Sequence, residues 1–213
     1  MLIWSLRKMT TPQTSASEKA KQKARERSLT LSVPNLLTYG RIIAVPAVIA
    51  CFYFEGPLSN WLAFGLFVAA SITDFLDGYL ARAWSQQSAL GRMLDPIADK
   101  LLIAACLLGL CAFGVITSWS VWAAVIILFR EIAVSGLREF LASLQVSVPV
   151  SNLAKCKTAI QMTSLAVLLI APALGPIYID IGIALLWIAA LVTLITGYDY
   201  FRAGLRHLLE DDA

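Results

Sequence analysis

Beyond residue 31 the chain is a succession of apolar runs, each about 20 residues long. Hydrophobic residues make up 59% of the sequence and the mean hydropathy is +0.75, far from the balance of a soluble domain. The runs fall near 32–54, 59–82, 92–114, 118–141, 152–173 and 178–200. Connectors such as Glu55-Gly56-Pro57 and Pro172-Ala173-Leu174-Gly175-Pro176 carry the Gly/Pro punctuation expected between helices. The expected fold is all-α: a polytopic integral membrane protein with six transmembrane helices.

Cationic residues test that count independently. Seven lie in the N-terminal arm, namely Arg7, Lys8, Lys19, Lys21, Lys23, Arg25 and Arg27. The other ten are Arg41, Arg82, Arg92, Lys100, Arg130, Arg138, Lys155, Lys157, Arg202 and Arg206. With six spans and the N-terminus inside, all ten fall in the cytoplasmic half of a helix or in a cytoplasmic loop. The three far-side connectors carry none, so both termini are expected in the cytoplasm. The chain divides into a basic arm at 1–31, a six-helix body at 32–206 and a polar tail at 207–213. Residues 18–27 are expected to form a cytoplasmic basic helix, either solvated or lying on anionic headgroups. The first 30 residues hold no apolar stretch of signal-peptide length.

Four aspartates break the apolar pattern inside the second and third runs: Asp74, Asp77, Asp95 and Asp99. A charge near the bilayer centre costs roughly 2.5–3.5 kcal/mol, so four cost on the order of 10 kcal/mol before relief at an interface. A divalent cation in a water-accessible cavity offsets that cost. Asp74 and Asp77 are i,i+3 neighbours on one helix, and Asp95 and Asp99 are i,i+4 neighbours on the next. Two antiparallel helices would aim four hard oxygen donors at one point, the ligand type of Mg²⁺, Mn²⁺ or Ca²⁺. The competing reading pairs the acids with Arg82, Arg92 and Lys100, or lines an ion path with them. Cys51, Cys106, Cys111 and Cys156 show no metal-ligand spacing and are expected as small buried apolar residues. With His207 the sole histidine, in the tail, acid–base chemistry in the membrane falls to carboxylates.

The full pattern, Asp74-x2-Asp77-Gly78-x2-Ala81-Arg82-x8-Gly91-x3-Asp95-x3-Asp99, resembles the signature of the CDP-alcohol phosphatidyltransferase family, with every position present. The resemblance extends over the six-span body. It implies a two-metal site of the Mg²⁺ or Mn²⁺ type on Asp74, Asp77, Asp95 and Asp99, which transfers a phosphatidyl group from a CDP-lipid to an alcohol and releases CMP. It also implies Asp99 as general base. Asn35, Thr38, Gly78, Arg82 and Ser88 would contact the CDP moiety, with Gly91, like Gly78, letting the nucleotide approach the backbone. Family members resemble one another in forming homodimers through their membrane helices. Gly109, Ala112 and Gly114 are candidate contacts, although packing within the chain explains them equally well.

Three segments bear on the acceptor: Phe129 to Glu139, Ser151 to Met162, and Asp95 to Lys100. Together they look like the branch of the family that uses sn-glycerol 3-phosphate, whose phosphate dianion suits a cationic pocket of Arg130, Arg138, Lys155 and Lys157. Arg138, Lys155 and Lys157 also read as interfacial anchors, whereas Arg130 lies deeper. Glu131 either pairs with another helix's cation or orients the site. The expected partners are CDP-diacylglycerol, glycerol 3-phosphate and membrane lipids, with no nucleic acid. The expected location is a bacterial inner membrane, with a mitochondrial presequence as the alternative reading of the arm. A sister transferase acting on phosphatidylglycerol (a cardiolipin synthase) or on serine is the nearest rival, and a divalent-cation transporter is the rival from another class.

Overall fold

The computed structural model describes residues 33–84, 89–144 and 152–211, apart from the side chains of 33, 34, 75, 77–84, 89, 90, 92, 143, 152, 203 and 205–211. The basic arm and Ser88 therefore lie outside the described residues. Among the described residues the chain is entirely helical. The elements are α1 (Val33–Cys51), α2 (Pro57–Trp84), α3 (Ala89–Ala112), α4 (Ser120–Ser143), α5 (Asn152–Leu174) and α6 (Pro176–Asp211). Helices satisfy their backbone polar groups internally, which apolar sequence of this length requires in lipid. Three of them are long and apolar enough to cross a membrane: Ser120–Ala142, Leu153–Leu174 and Pro176–Arg202. The molecule is thus a helical membrane protein.

Each helix matches one apolar run, with boundaries shifted by a few residues. The largest departure is α6, which runs on to Asp211, well beyond the run ending near 200. Hydropathy registers only the apolar part of a helix; the Leu-rich, helix-prone segment Arg202–Glu210 continues the same backbone without being apolar. The far-side turns follow the Gly punctuation. Gly56, Gly114 and Gly175, one in each turn, adopt φ values of +107°, +75° and +119°, a region costly for residues with a Cβ.

The interior is divided along the helix axes. One end is apolar: Val48 on α1, Phe67 on α2, Leu107 and Leu110 on α3, Ile127 on α4, Leu168 on α5 and Leu186 on α6 are all at most 1% exposed. The other end is polar: Asn35, Thr38 and Arg41 on α1, Arg130 and Glu131 on α4, Lys157 and Gln161 on α5, and Thr193 and Thr196 on α6 are buried there. The first four helices change character at a corresponding level, between Arg41 and Val48, Ala70 and Asp74, Lys100 and Leu102, and Ile127 and Arg130. Ser59 is a local exception, buried in the first turn of α2 where its hydroxyl donates to the Gly56 carbonyl at 2.8 Å. Large apolar side chains such as Phe129, Ile132, Ile43 and Leu191 face outward, as a lipid-facing surface requires.

Helix α5 packs along α6 and against α2, α6 also packs against α4, and α1 packs against both α2 and α3. Contact between α3 and α4 is sparse. The α5–α6 seam rests on Gly182, where the Ser164 hydroxyl donates to the Gly182 carbonyl at 2.9 Å and an added Cβ would lie 2.6 Å from Leu168 Cδ2. Gly109 accommodates Phe52 of the same chain, whose ring would stand 2.7 Å from a Cβ there, so that glycine serves packing within the chain. Gly114 sits in the α3–α4 turn. The cysteines are unpaired: Cys106 is buried, Cys51 and Cys111 half-buried, and Cys156 exposed. Cys156 departs from expectation because it precedes the buried Lys157 and so points away from the bundle.

A Gly182→Val chain should be less stable, because Leu168 and the α6 backbone cannot both keep their places; overpacking of this kind costs typically 1–3 kcal/mol. Thermal unfolding in detergent should show a lowered melting temperature, and an unchanged one would mean that the seam does not depend on this close approach.

Candidate active site

The polar end gathers the motif and its surroundings from all six helices. Asp74 and Asp77 lie on the last third of α2, Asp95 and Asp99 on the first half of α3. Pro96, between the last two, has no N–H to offer the carbonyl one turn earlier, which loosens the backbone within the motif. Gly91 is buried in the first turn of α3, while Gly78 and Arg82 are placed on α2 by their backbone alone.

Helix α1 supplies partners that the motif pattern does not contain. Arg41, fully buried, forms an ion pair with Asp74 at 2.6 Å (Nη1 to Oδ1), and the Asp74 carboxylate remains 44% exposed. The Thr38 hydroxyl donates to Asp95 Oδ1 at 2.5 Å. Asn35, Thr38 and Arg41 recur every three residues and form one buried face of α1, which lies against α2 and α3. The charges that reach Asp99 are those of Asp74, Lys100, Glu131 and Arg41, and those that reach Asp74 include Asp95. The structure thus brings Asp74, Asp95 and Asp99 into one neighbourhood, although the described carboxylates alone do not close a three-ligand cluster. Of the cations that the competing reading would pair with the motif, Lys100 engages Glu131 instead, and the side chains of Arg82 and Arg92 lie outside the described ones.

A second cluster adjoins the first through Lys100. Glu131, on α4, pairs with Lys157 of α5, with Lys100 of α3 at 3.7 Å, and with the neighbouring Arg130 at 4.0 Å. Arg130 reaches across to α6, where Nη2 donates to Thr196 Oγ1 at 3.1 Å. Its aliphatic stem crosses α6 at Gly197, where a Cβ would stand 3.0 Å from Arg130 Cγ. Of the four cations expected at an acceptor pocket, Arg130 and Lys157 therefore converge on one carboxylate. Arg138 and Lys155 are exposed. Arg138 nonetheless lines, with Lys100, Ser135 and Glu139, a hollow of about 320 Å³ at the edge of the cluster. Beside it a larger groove of about 680 Å³ separates α3 from α4; Ile97, Leu101, Ala104, Leu128 and Ile132 wall it, and Lys100 and Glu131 sit on its lining.

Sequence reasoning missed Arg41 as a partner of the motif and Gln161 as a buried polar residue, and it weighed Lys100 as a partner of the motif acids rather than of Glu131. Gln161 is 1% exposed, and neither its Nε2 nor its Oε1 has a partner among the described residues. The signal was present as helical spacing of polar residues in apolar helices: 35, 38 and 41 on α1; 157, 161 and 164 on α5; 193 and 196 on α6.

Residues 31–195 match the family model described as CDP-alcohol phosphatidyltransferase. The chain belongs to that family of membrane transferases. It is 49% identical over 174 residues to the CDP-diacylglycerol--glycerol-3-phosphate 3-phosphatidyltransferase of Rickettsia bellii, covering 81% of this chain and 94% of the relative. The Cereibacter sphaeroides protein of the same name is 39% identical over 217 residues, covering 84% of this chain and 98% of the relative. A cardiolipin synthase (CMP-forming) of Oryza sativa is 40% identical over 196 residues, 84% of this chain and 59% of that protein.

Proposed function

We propose that the chain transfers the phosphatidyl group of CDP-diacylglycerol to sn-glycerol 3-phosphate, forming phosphatidylglycerophosphate and CMP. The observation that carries the acceptor choice is the buried cluster in which Lys100, Arg130 and Lys157 surround a single carboxylate beside the aspartate motif. Such a surplus of positive charge suits a phosphate dianion. The names of the Rickettsia and Cereibacter relatives support the same reading.

Asp74, Asp77, Asp95 and Asp99 would hold Mg²⁺ or Mn²⁺. The donor set fits, being hard oxygens on a half-exposed carboxylate and its neighbours. When bound, the ions would neutralise the pyrophosphate and stabilise the oxygens that attack and leave. Arg41 fixes the Asp74 carboxylate and Thr38 fixes that of Asp95, so both ligands are oriented by a second residue. Asp99 takes the proton from the acceptor hydroxyl remote from its phosphate. The freed oxygen bonds to the lipid-bearing phosphorus as the bond from that phosphorus to the CMP oxygen breaks, and CMP departs with the electron pair. Asn35, Gly78, Arg82, Ser88 and Gly91 flank the CDP moiety, with Arg82 forked onto phosphate oxygens. Arg138 and Lys155 lie at the rim, where they draw the anionic acceptor inward.

The metal-bearing end is the cytoplasmic one, so six spans place both termini in the cytoplasm, with the basic arm on the same side. The chain resides in a bacterial inner membrane and acts as a homodimer. A second reading, phosphatidylglycerol as acceptor, is favoured by the cardiolipin synthase relative; its phosphodiester carries a single charge, a poorer match for the cluster.

Purified protein given CDP-diacylglycerol and Mg²⁺ or Mn²⁺ should release CMP with glycerol 3-phosphate and not with serine, inositol or phosphatidylglycerol; release with phosphatidylglycerol instead would transfer the assignment to the second reading. Asp77→Ala should lower CMP release about 100-fold or more with the protein still inserted, the scale seen when charge stabilisation is removed. Near-normal turnover in that variant would sink the aspartate site. Thr38→Val should leave the fold intact and raise the half-saturating Mg²⁺ or Mn²⁺ concentration about 10- to 100-fold, read from cation titrations of CMP release. An unchanged cation requirement would mean that the Thr38–Asp95 bond does not orient a ligand.

A further inference from the structure

Glu131 has no place in the chemistry described so far, yet it is the point at which three helices' cations meet. Its side chain is 11% exposed, and those of Lys157 and Arg130 are 4% and 10% exposed, so the group is largely removed from water, with Lys100 the most open at 27%. Among the described residues, three cations face one carboxylate here, an excess of two positive charges inside the cluster, with the Asp99 carboxylate of the motif next in reach. The other charged groups at its mouth, Arg138 and Glu139, are exposed and of opposite sign. Donor capacity is also left over. Arg130 spends Nη2 on Thr196, whereas its buried Nε has no partner among the described residues. The ammonium groups of Lys100 and Lys157 each carry more protons than the contact to Glu131 uses.

A carboxylate placed only to neutralise buried cations would be expected to match them one for one, since an uncompensated buried charge is costly. Among the described residues the cluster falls short of that match by two. We propose that Glu131 is a positioning residue for the acceptor: it draws Lys100, Lys157 and Arg130 to one point and sets the cluster's surplus at two charges, so that a phosphate dianion completes it and a monoanionic phosphodiester or a neutral alcohol does not. Glu131 does not touch the transferred phosphorus; it acts through the cations that bind the acceptor's phosphate. This inference rests on the reading of the acceptor given above and assigns Glu131 and Lys100 their part in acceptor choice.

The test is initial-rate CMP release by the full-length protein in detergent with CDP-diacylglycerol and Mg²⁺, with glycerol 3-phosphate or phosphatidylglycerol as acceptor. Glu131→Gln should raise KM for glycerol 3-phosphate about 10-fold or more, because the cations lose their common anchor, with kcat and KM for CDP-diacylglycerol within about threefold of wild type. Lys157→Met should raise the same KM, and the double variant should fall short of the two effects combined, because Glu131 acts in part through that ammonium. A fall in kcat or melting temperature with KM for glycerol 3-phosphate unchanged would reduce Glu131 to a structural ion pair and overturn the proposal. If Glu131→Gln cannot be recovered folded, Lys100→Gln decides. That side chain is the most open of the four, so a severalfold rise in KM for glycerol 3-phosphate supports the proposal and an unchanged KM refutes it. Wild-type protein that releases no CMP with glycerol 3-phosphate would remove the acceptor reading itself, and this inference with it; a normal wild type with an unaffected Glu131→Gln variant would remove the inference alone.

Discussion

A charged group inside a lipid-embedded bundle needs its counter-charge on another helix, and here that requirement ties the polar end together. Arg41 of α1 meets Asp74 of α2, and Glu131 of α4 meets Lys157 of α5 and Lys100 of α3. Arg130 extends the second group to Thr196 of α6. No helix can be withdrawn without stranding a buried charge or donor, and truncating one partner of such a pair typically costs 3–5 kcal/mol. The apolar end has no comparable constraint. It is held by close packing of Leu, Ile, Phe and Ala, with Gly182 and Gly109 letting neighbours approach.

This partition explains how a small bundle carries so many charges. The apolar end supplies packing that is indifferent to the chemistry, and among the described residues the polar end holds the buried cations and carboxylate, Arg41, Arg130, Lys157 and Glu131. Chemistry on a water-soluble acceptor and a lipid donor demands such a level, accessible to water from one side and to the acyl phase from the other. In the proposed reaction the groove left by the sparse contact between α3 and α4 would serve as the second route. Their groove is walled by apolar side chains, and Lys100 and Glu131 bring the acceptor cluster to its lining. The close α5–α6 seam on the opposite flank gives Lys157 and Thr196 a firm frame from which to hold that cluster.

The helices and the aspartate pattern were legible in the sequence because both are local. Apolar runs mark helices at the resolution of a few residues, and the i,i+3 and i,i+4 spacing of Asp74–Asp77 and Asp95–Asp99 survives into α2 and α3 unchanged. What was not legible is pairwise and distant. Thr38 and Asp95 stand 57 positions apart, and Arg130 and Thr196 stand 66 apart. No spacing rule connects such residues. The choice among Arg138, Lys155 and Lys157 shows the same limit. All three read as interfacial anchors or as pocket cations, and only the rotation of each helix separates the buried Lys157 from the exposed other two. On α5 that rotation is set by Lys157, Gln161 and Ser164, which share one face with the apolar Leu165 and Leu168, while Lys155 and Cys156 fall on the other.

The two clusters meet at the step from Asp99 to Lys100. Adjacent residues on a helix point about 100° apart, so one backbone segment serves both sites: Asp99 feels Asp74, while Lys100 reaches Glu131. A substrate whose hydroxyl must lie at Asp99 and whose phosphate must lie at the Lys100–Arg130–Lys157 cluster is thereby measured for length. Glycerol 3-phosphate, with a hydroxyl two carbons beyond the one that carries its phosphate, is a molecule of that kind. Inositol presents a hydroxyl without an anionic anchor, serine offers only a carboxylate monoanion beside its own ammonium, and phosphatidylglycerol brings a monoanion with bulky chains attached. In the proposed reaction the register between Asp99 and Lys100 would constrain acceptor length and the excess of cations around Glu131 would constrain acceptor charge, and the two together would select more narrowly than either alone.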